Sequence, residues 1–93
     1  MAVDKSIEST LHGIIHTALG APGGDPDSVH MMVAAIAYLA LQHYGLDTSP
    51  LDVPGSPEEP STRDYLAGEN VYGRNFLEDV TWDGEYTDKY RNK

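Results

Sequence analysis

Residues 25–46 read DPDSVHMMVAAIAYLALQHYGL and carry the strongest structural signal in the chain. Asp25 is placed as an N-cap, Pro26 as the first helical residue and Asp27 in the first turn, each suited to the unpaired N–H groups and positive dipole end of a helix start. Gly45 closes the element after Tyr44, with Leu46 placed to touch Leu41 as the apolar partner of a Schellman cap. The spacing therefore predicts a helix over 26–44, about 28 Å long. Val29, Met32, Val33, Ile36 and Ala40 form one of its faces, and Met31, Ala35, Tyr38 and Leu41 lie on the other side. A helix apolar all round is normally buried all round. Its apolar run from Met31 to Leu41 reaches about 16 Å, half of a hydrocarbon layer, so it does not span a membrane.

Upstream, Ile7, Leu11, Ile14, Ile15 and Ala18 repeat at helical spacing, with Leu19 at the edge of the stripe. They predict a helix over 5–19, capped by Asp4 or Ser6 and stopped by Gly20. Gly13 falls on its polar side and costs about 1 kcal/mol against Ala, so this helix depends on packing. The two helices form a hairpin over residues 1–46. The first helix covers one side of the second, and the rest of the chain is too polar to make a regular layer. A second copy is then the supplier of cover for Met31, Ala35, Tyr38 and Leu41, through a four-helix arrangement that the alanines at 34, 35, 37 and 40 permit. The competing reading is that the second half folds back over this side and the protein is a monomer.

Residues 47–93 differ in character from the first half. They hold four prolines between 50 and 60 and six of the eight aromatics. Asp47-Thr-Ser-Pro50 and Val53-Pro-Gly-Ser-Pro57 favour extended geometry and turns. Ser61-Thr-Arg-Asp64 has capping-box spacing and predicts a short third helix near 62–67, ended by Gly68. Val80-Thr-Trp82, Asp83-Gly84 and Glu85-Tyr86 carry the two-residue turn signal of a small β-hairpin near 80–86. The fold class read from the sequence is all-α: a helical hairpin, a Pro-rich linker and an extended aromatic and acidic C-terminal arm, in one structural domain.

The whole chain has 93 residues, with fifteen acids against six bases and a net charge of −9. A chain of this size buries roughly 60–68% of its unfolded surface, so its core is thin. The charge excludes unaided, non-specific binding to nucleic acid or an anionic membrane, where cations supply most of the affinity. The absence of cysteine excludes disulfides, thiolate nucleophiles and thiolate metal sites. The N-terminal residues lack the apolar stretch of a secretory signal. The sequence therefore reads as a soluble, cytoplasmic protein.

Chemistry-bearing motifs are sparse. His12 and His16 stand one turn apart, about 140–180° round the helix from Ile7, with the spacing of a two-imidazole metal site to which His30 or His43 would add a ligand. No Glu follows His12, so the His-Glu-x-x-His protease pattern is absent. The plainer reading pairs His30 with Asp27 and places His43 at the negative helix end. Asp79-x-Thr81-x-Asp83-Gly84 has the alternating oxygens of a calcium loop, but Tyr90 stands where the bidentate Glu belongs. Glu58-Glu59 and Glu78-Asp79 read as a solvated face rather than an acid–base pair. Neither a nucleophile elbow nor a phosphate loop is present, and no cofactor is implied.

The aromatic residues of the arm carry the functional expectation. Tyr65, Tyr72, Phe76, Trp82, Tyr86 and Tyr90 alternate with Arg63, Arg74, Arg91 and many acids. Tyr, Trp and Arg dominate interface hot spots, and an acidic segment that orders on a partner wraps a large surface. The expected function is non-enzymatic protein–protein interaction by a homo-oligomer. Such a protein is an accessory or assembly subunit, or an inhibitor of a basic partner, nucleic-acid-binding proteins being one class of these. Tyr65, Tyr72, Arg74, Phe76, Trp82, Tyr86 and Tyr90 are its partner-binding residues, and Met31, Ala35, Tyr38 and Leu41 its oligomer interface. The alternative is a small-ligand or metal binder using His12 and His16 in a cleft between subunits.

Overall fold

The apolar periodicity of both long segments is realised as helix. The computed structural model describes residues 5–20 and 26–80, in the order α1 (Lys5–Leu19), α2 (Ser28–His43), α3 (Ser49–Asp52), α4 (Thr62–Leu66) and α5 (Phe76–Asp79). Glu8 and His12 meet Asp47 just past α2, while Thr17 and Ala18 lie beside His30 in its first turn, so α1 and α2 run antiparallel. The expected all-α hairpin is thus the framework of the molecule. The described residues contain no strand, and the hairpin expected near 80–86 lies almost wholly outside them.

The N-cap of α2 is Asp27, two residues later than the sequence placed it. Both aspartates flank Pro26, but Asp27 Oδ1 accepts from the His30 backbone N–H at 2.9 Å and contacts the His30 ring Nδ1 at 2.7 Å. That double engagement fixes the start of the helix. At the other end Gly45 adopts φ 69°, its N–H donates to Gln42 O and the Leu46 N–H donates to Leu41 O at 2.9 Å. This is the expected Schellman closure. Ser6, one of two suggested caps for α1, lies inside that helix.

The stretch after α2 departs most from the sequence reading. It folds back, and each short helix drives one large side chain into the core: Leu51 from α3, Leu66 from α4 and Phe76 from α5, all fully buried. Four- and five-residue helices are unstable in isolation, so these anchors hold them. Full burial of such a side chain contributes about 1.5–3 kcal/mol. Together α4 and α5 pack on α2, and α3 on α4. They cover Met31, Ala34, Ala35, Tyr38 and Leu41, which the sequence had assigned in part to a second copy.

Polar groups tie the cover down. The Tyr38 hydroxyl donates to Asp52 Oδ1 at 2.7 Å, and Thr48 Oγ1 donates to the other carboxylate oxygen at 2.8 Å. Burial, aided by the Asp52 carboxylate, pushes the Tyr38 phenol up to about 12. Pro50 sits in the first turn of α3, where a missing N–H costs nothing, which is why a segment read as extended is helical. The Ser61 hydroxyl caps α4 by accepting from the Asp64 N–H at 3.1 Å, as the capping-box spacing predicts. Asn70 pins the following loop, donating to Tyr65 O and Arg74 O.

Candidate functional site

The expected oligomer interface is the clearest correction. Met31, Ala35, Tyr38 and Leu41 are at most 1% exposed within one chain and offer no surface to a second. The reason is the return of α3–α5 over them. The other long side of α2 is bare instead, with Val29 63%, Val33 41% and Ile36 43% exposed. On α1, Ile7 and Ile14 are also exposed. Between the helices runs a shallow groove lined by Thr10, Gly13, Ile14, Thr17, His30 and Val33. A Cβ placed on Gly13 would meet nothing within 4 Å, so no packing inside the chain requires glycine there.

The aromatic residues expected to bind a partner are divided. Phe76 is buried in the core and Tyr65 packs against it, so both are structural. Tyr72 keeps an exposed edge, yet its hydroxyl donates to Pro26 O at 2.9 Å and its ring meets Phe76 edge-on with centroids 5.8 Å apart. Arg74 lies 5.2 Å from the Phe76 ring centre, and its Nε pairs with Asp79. Both side chains thus stabilise the loop between α4 and α5. Trp82, Tyr86 and Tyr90 lie outside the described residues, as do all but the first two residues of the calcium-like loop.

Three of the four histidines have separate structural partners. His12 Nε2 lies 2.8 Å from Asp47 O and joins α1 to the end of α2. His16 is exposed in the last turn of α1. His30 is engaged by Asp27, and the His43 ring meets Tyr44 edge-on at 5.2 Å. Among the described residues no group of three or more His, Asp and Glu side chains is placed to hold a metal ion.

A second surface emerges around α4. Glu58, Glu59, Asp64 and Glu69, with Pro57, Pro60 and Ala67, line one open groove. Among the described residues Arg63 pairs with Asp64, at 4.0 Å. The carboxylates of Glu58, Glu59 and Glu69 have no hydrogen-bond donor or cation beside them among the described residues. Other acids are spent on structure: Asp27 and Asp47 are both held below the usual carboxylate range. For Asp27 the largest cause is the His30 backbone N–H, and for Asp47 the Ser49 hydroxyl and N–H. The sequence showed the Pro57-Glu-Glu-Pro60 cluster; what it did not show is that α4 brings Asp64 and Glu69 alongside.

Compared with protein-family models, with curated proteins and with solved structures, the chain matches none. Among the described residues no helix is long and apolar enough to cross a membrane.

Proposed function

We propose that the protein is a non-enzymatic interaction protein, an accessory subunit or inhibitor that receives a basic segment of another protein in the acidic groove around α4. The observation that carries this reading is the set of four carboxylates in that groove, three of them without a cation among the described residues. Lys or Arg side chains would supply the missing counter-charges, and Arg would do so through paired hydrogen bonds. The net charge of −9 speeds encounter with such a partner and repels nucleic acid itself. A basic nucleic-acid-binding protein fits this requirement, because carboxylates then stand where phosphates would.

The test is a titration with an oligo-arginine peptide followed by backbone amide shifts. Shifts centred on Glu58, Glu59, Asp64 and Glu69 are expected, with affinity that falls as salt rises. The double variant Glu58→Gln, Glu59→Gln should weaken binding without altering the helical signal. Equal affinity for the double variant, or affinity indifferent to ionic strength, overturns the reading.

A further inference from the structure

We infer that the bare, uncharged side of the α1–α2 hairpin docks a second copy of this chain about a two-fold axis, closing a four-helix bundle. Val29, Val33, Ile36 and Ala40 follow one another at spacings of four, three and four, the repeat of a coiled-coil seam. The first three are exposed, as are Ile7 and Ile14, seven residues apart on α1. Aliphatic side chains in such a row are what one helix pair offers another in a bundle. The groove beside them is shallow along Thr10, Gly13 and Thr17, and the missing Cβ at 13 leaves room for a facing side chain. The same patch therefore carries both the projecting residues and the depression that an isologous contact needs.

Charge decides in favour of a second copy. Two chains at −9 repel, and contact through most of their surfaces sets acid against acid. Between Glu8 and Asp25, and again between Asp27 and Asp47, there is no Asp, Glu, Lys or Arg at all. With the histidines neutral, all the formal charge thus lies outside the central spans of α1 and α2, and across this face two copies meet without opposing like charges. The face is about 24 Å long and about 20 Å wide, so two copies bury just under about 1,000 Å² in all, the size of a weak, transient interface, and the dimer should form only at high concentration. This inference does not depend on the acidic groove: screening by salt weakens a basic partner there but preserves or strengthens the dimer.

Sedimentation equilibrium on the full chain tests it with two variants. Val33→Arg puts a charge in the centre of the face while lowering the net charge from −9 to −8, so general repulsion cannot account for lost association. Val71→Arg makes the same change at a residue 81% exposed between α4 and α5. The wild type and Val71→Arg should approach twice 10.2 kDa as concentration rises, and Val33→Arg should stay at 10.2 kDa with an unchanged helical signal. A wild type that remains monomeric into the hundreds of micromolar, or a Val33→Arg protein that associates like it, overturns the inference. Isotope-filtered spectra of mixed labelled and unlabelled wild type give a readout independent of any variant. Contacts between Val33 or Ile36 methyls and Ile14 of the other copy are expected, and a dimer lacking them is a dimer through another surface and overturns it.

Discussion

The two long sides of α2 are both apolar, yet one is among the most enclosed surfaces of the molecule and the other is open. On the enclosed side stand Met31, Ala34, Ala35, Tyr38 and Leu41; on the open side, Val29, Val33 and Ile36. Hydrophobicity does not separate them. The enclosed side combines small alanines, which admit a neighbouring backbone, with Tyr38, whose hydroxyl gives the returning chain a polar anchor at Asp52. The open side is β-branched and has no such handle. Which side a chain covers is thus set by where its next segment finds both room and a hydrogen-bond partner.

Substitutions on the two sides, read by unfolding and by pH, test this contrast. The largest effect is expected from Phe76→Ala, which should cost about 3–5 kcal/mol in urea unfolding, whereas Ile36→Ala on the open side should stay within about 0.5 kcal/mol when measured on dilute monomer. Similar losses for the two would mean that α5 does not cover α2. Next comes Tyr38→Phe, which keeps the ring and removes the bond to Asp52, and about 1.5 kcal/mol of lost stability is expected. Its pH signature is specific. The phenol pKa is about 10 in the unfolded chain and raised to about 12 when folded, so its contribution is complete below pH 10 and is lost as pH rises from 10 through 12. The Phe variant should lose that part of the alkaline decline.

A smaller loss, about 1 kcal/mol, is expected for Ser61→Ala, which removes the cap of α4 and loosens the cover without touching the hairpin. Gly13→Ala should act in the opposite sense and stabilise the monomer by up to about 1 kcal/mol, because the added methyl meets open space in mid-helix. A destabilised Gly13→Ala monomer would show that the groove is already filled. At the acid end, Asp27 and Asp47 titrate below their unfolded value of 3.8. Their contributions are therefore present above that pH and disappear as pH falls through the lower folded values. Asp27→Asn should flatten part of that decline.

The hairpin was legible because its signals repeat. Five apolar residues at helical spacing mark α1, whose span matches the sequence reading, and the Tyr44-Gly45-Leu46 closure of α2 is equally local. The cap of α4 was visible in Ser61 and Asp64. The helices α3 and α5 were not, since a single turn shows no periodicity and each is held by one residue meeting a distant surface. The side of α2 that ends up open was also hidden, because an all-round apolar helix carries no mark of its neighbours. In the candidate site the adjacent glutamates could be seen, but the approach of Glu69 to them depends on α4 and its loop. The spacing of Val29, Val33, Ile36 and Ala40 was present in the sequence, yet it gains meaning only once those residues are found in the open.

The single buried anchor on each short helix has a consequence for motion. With α3 resting on α4 and α5 resting separately on α2, the cover is two latches rather than a lid. Native-state hydrogen exchange should then resolve two partial openings, one releasing Leu51 and Leu66 and the other Phe76, each below the free energy of global unfolding. The amides at the centre of α2 should exchange only when the hairpin itself comes apart. A protease would accordingly find the second half of the molecule before the first, and leave the α1–α2 hairpin as its resistant remnant.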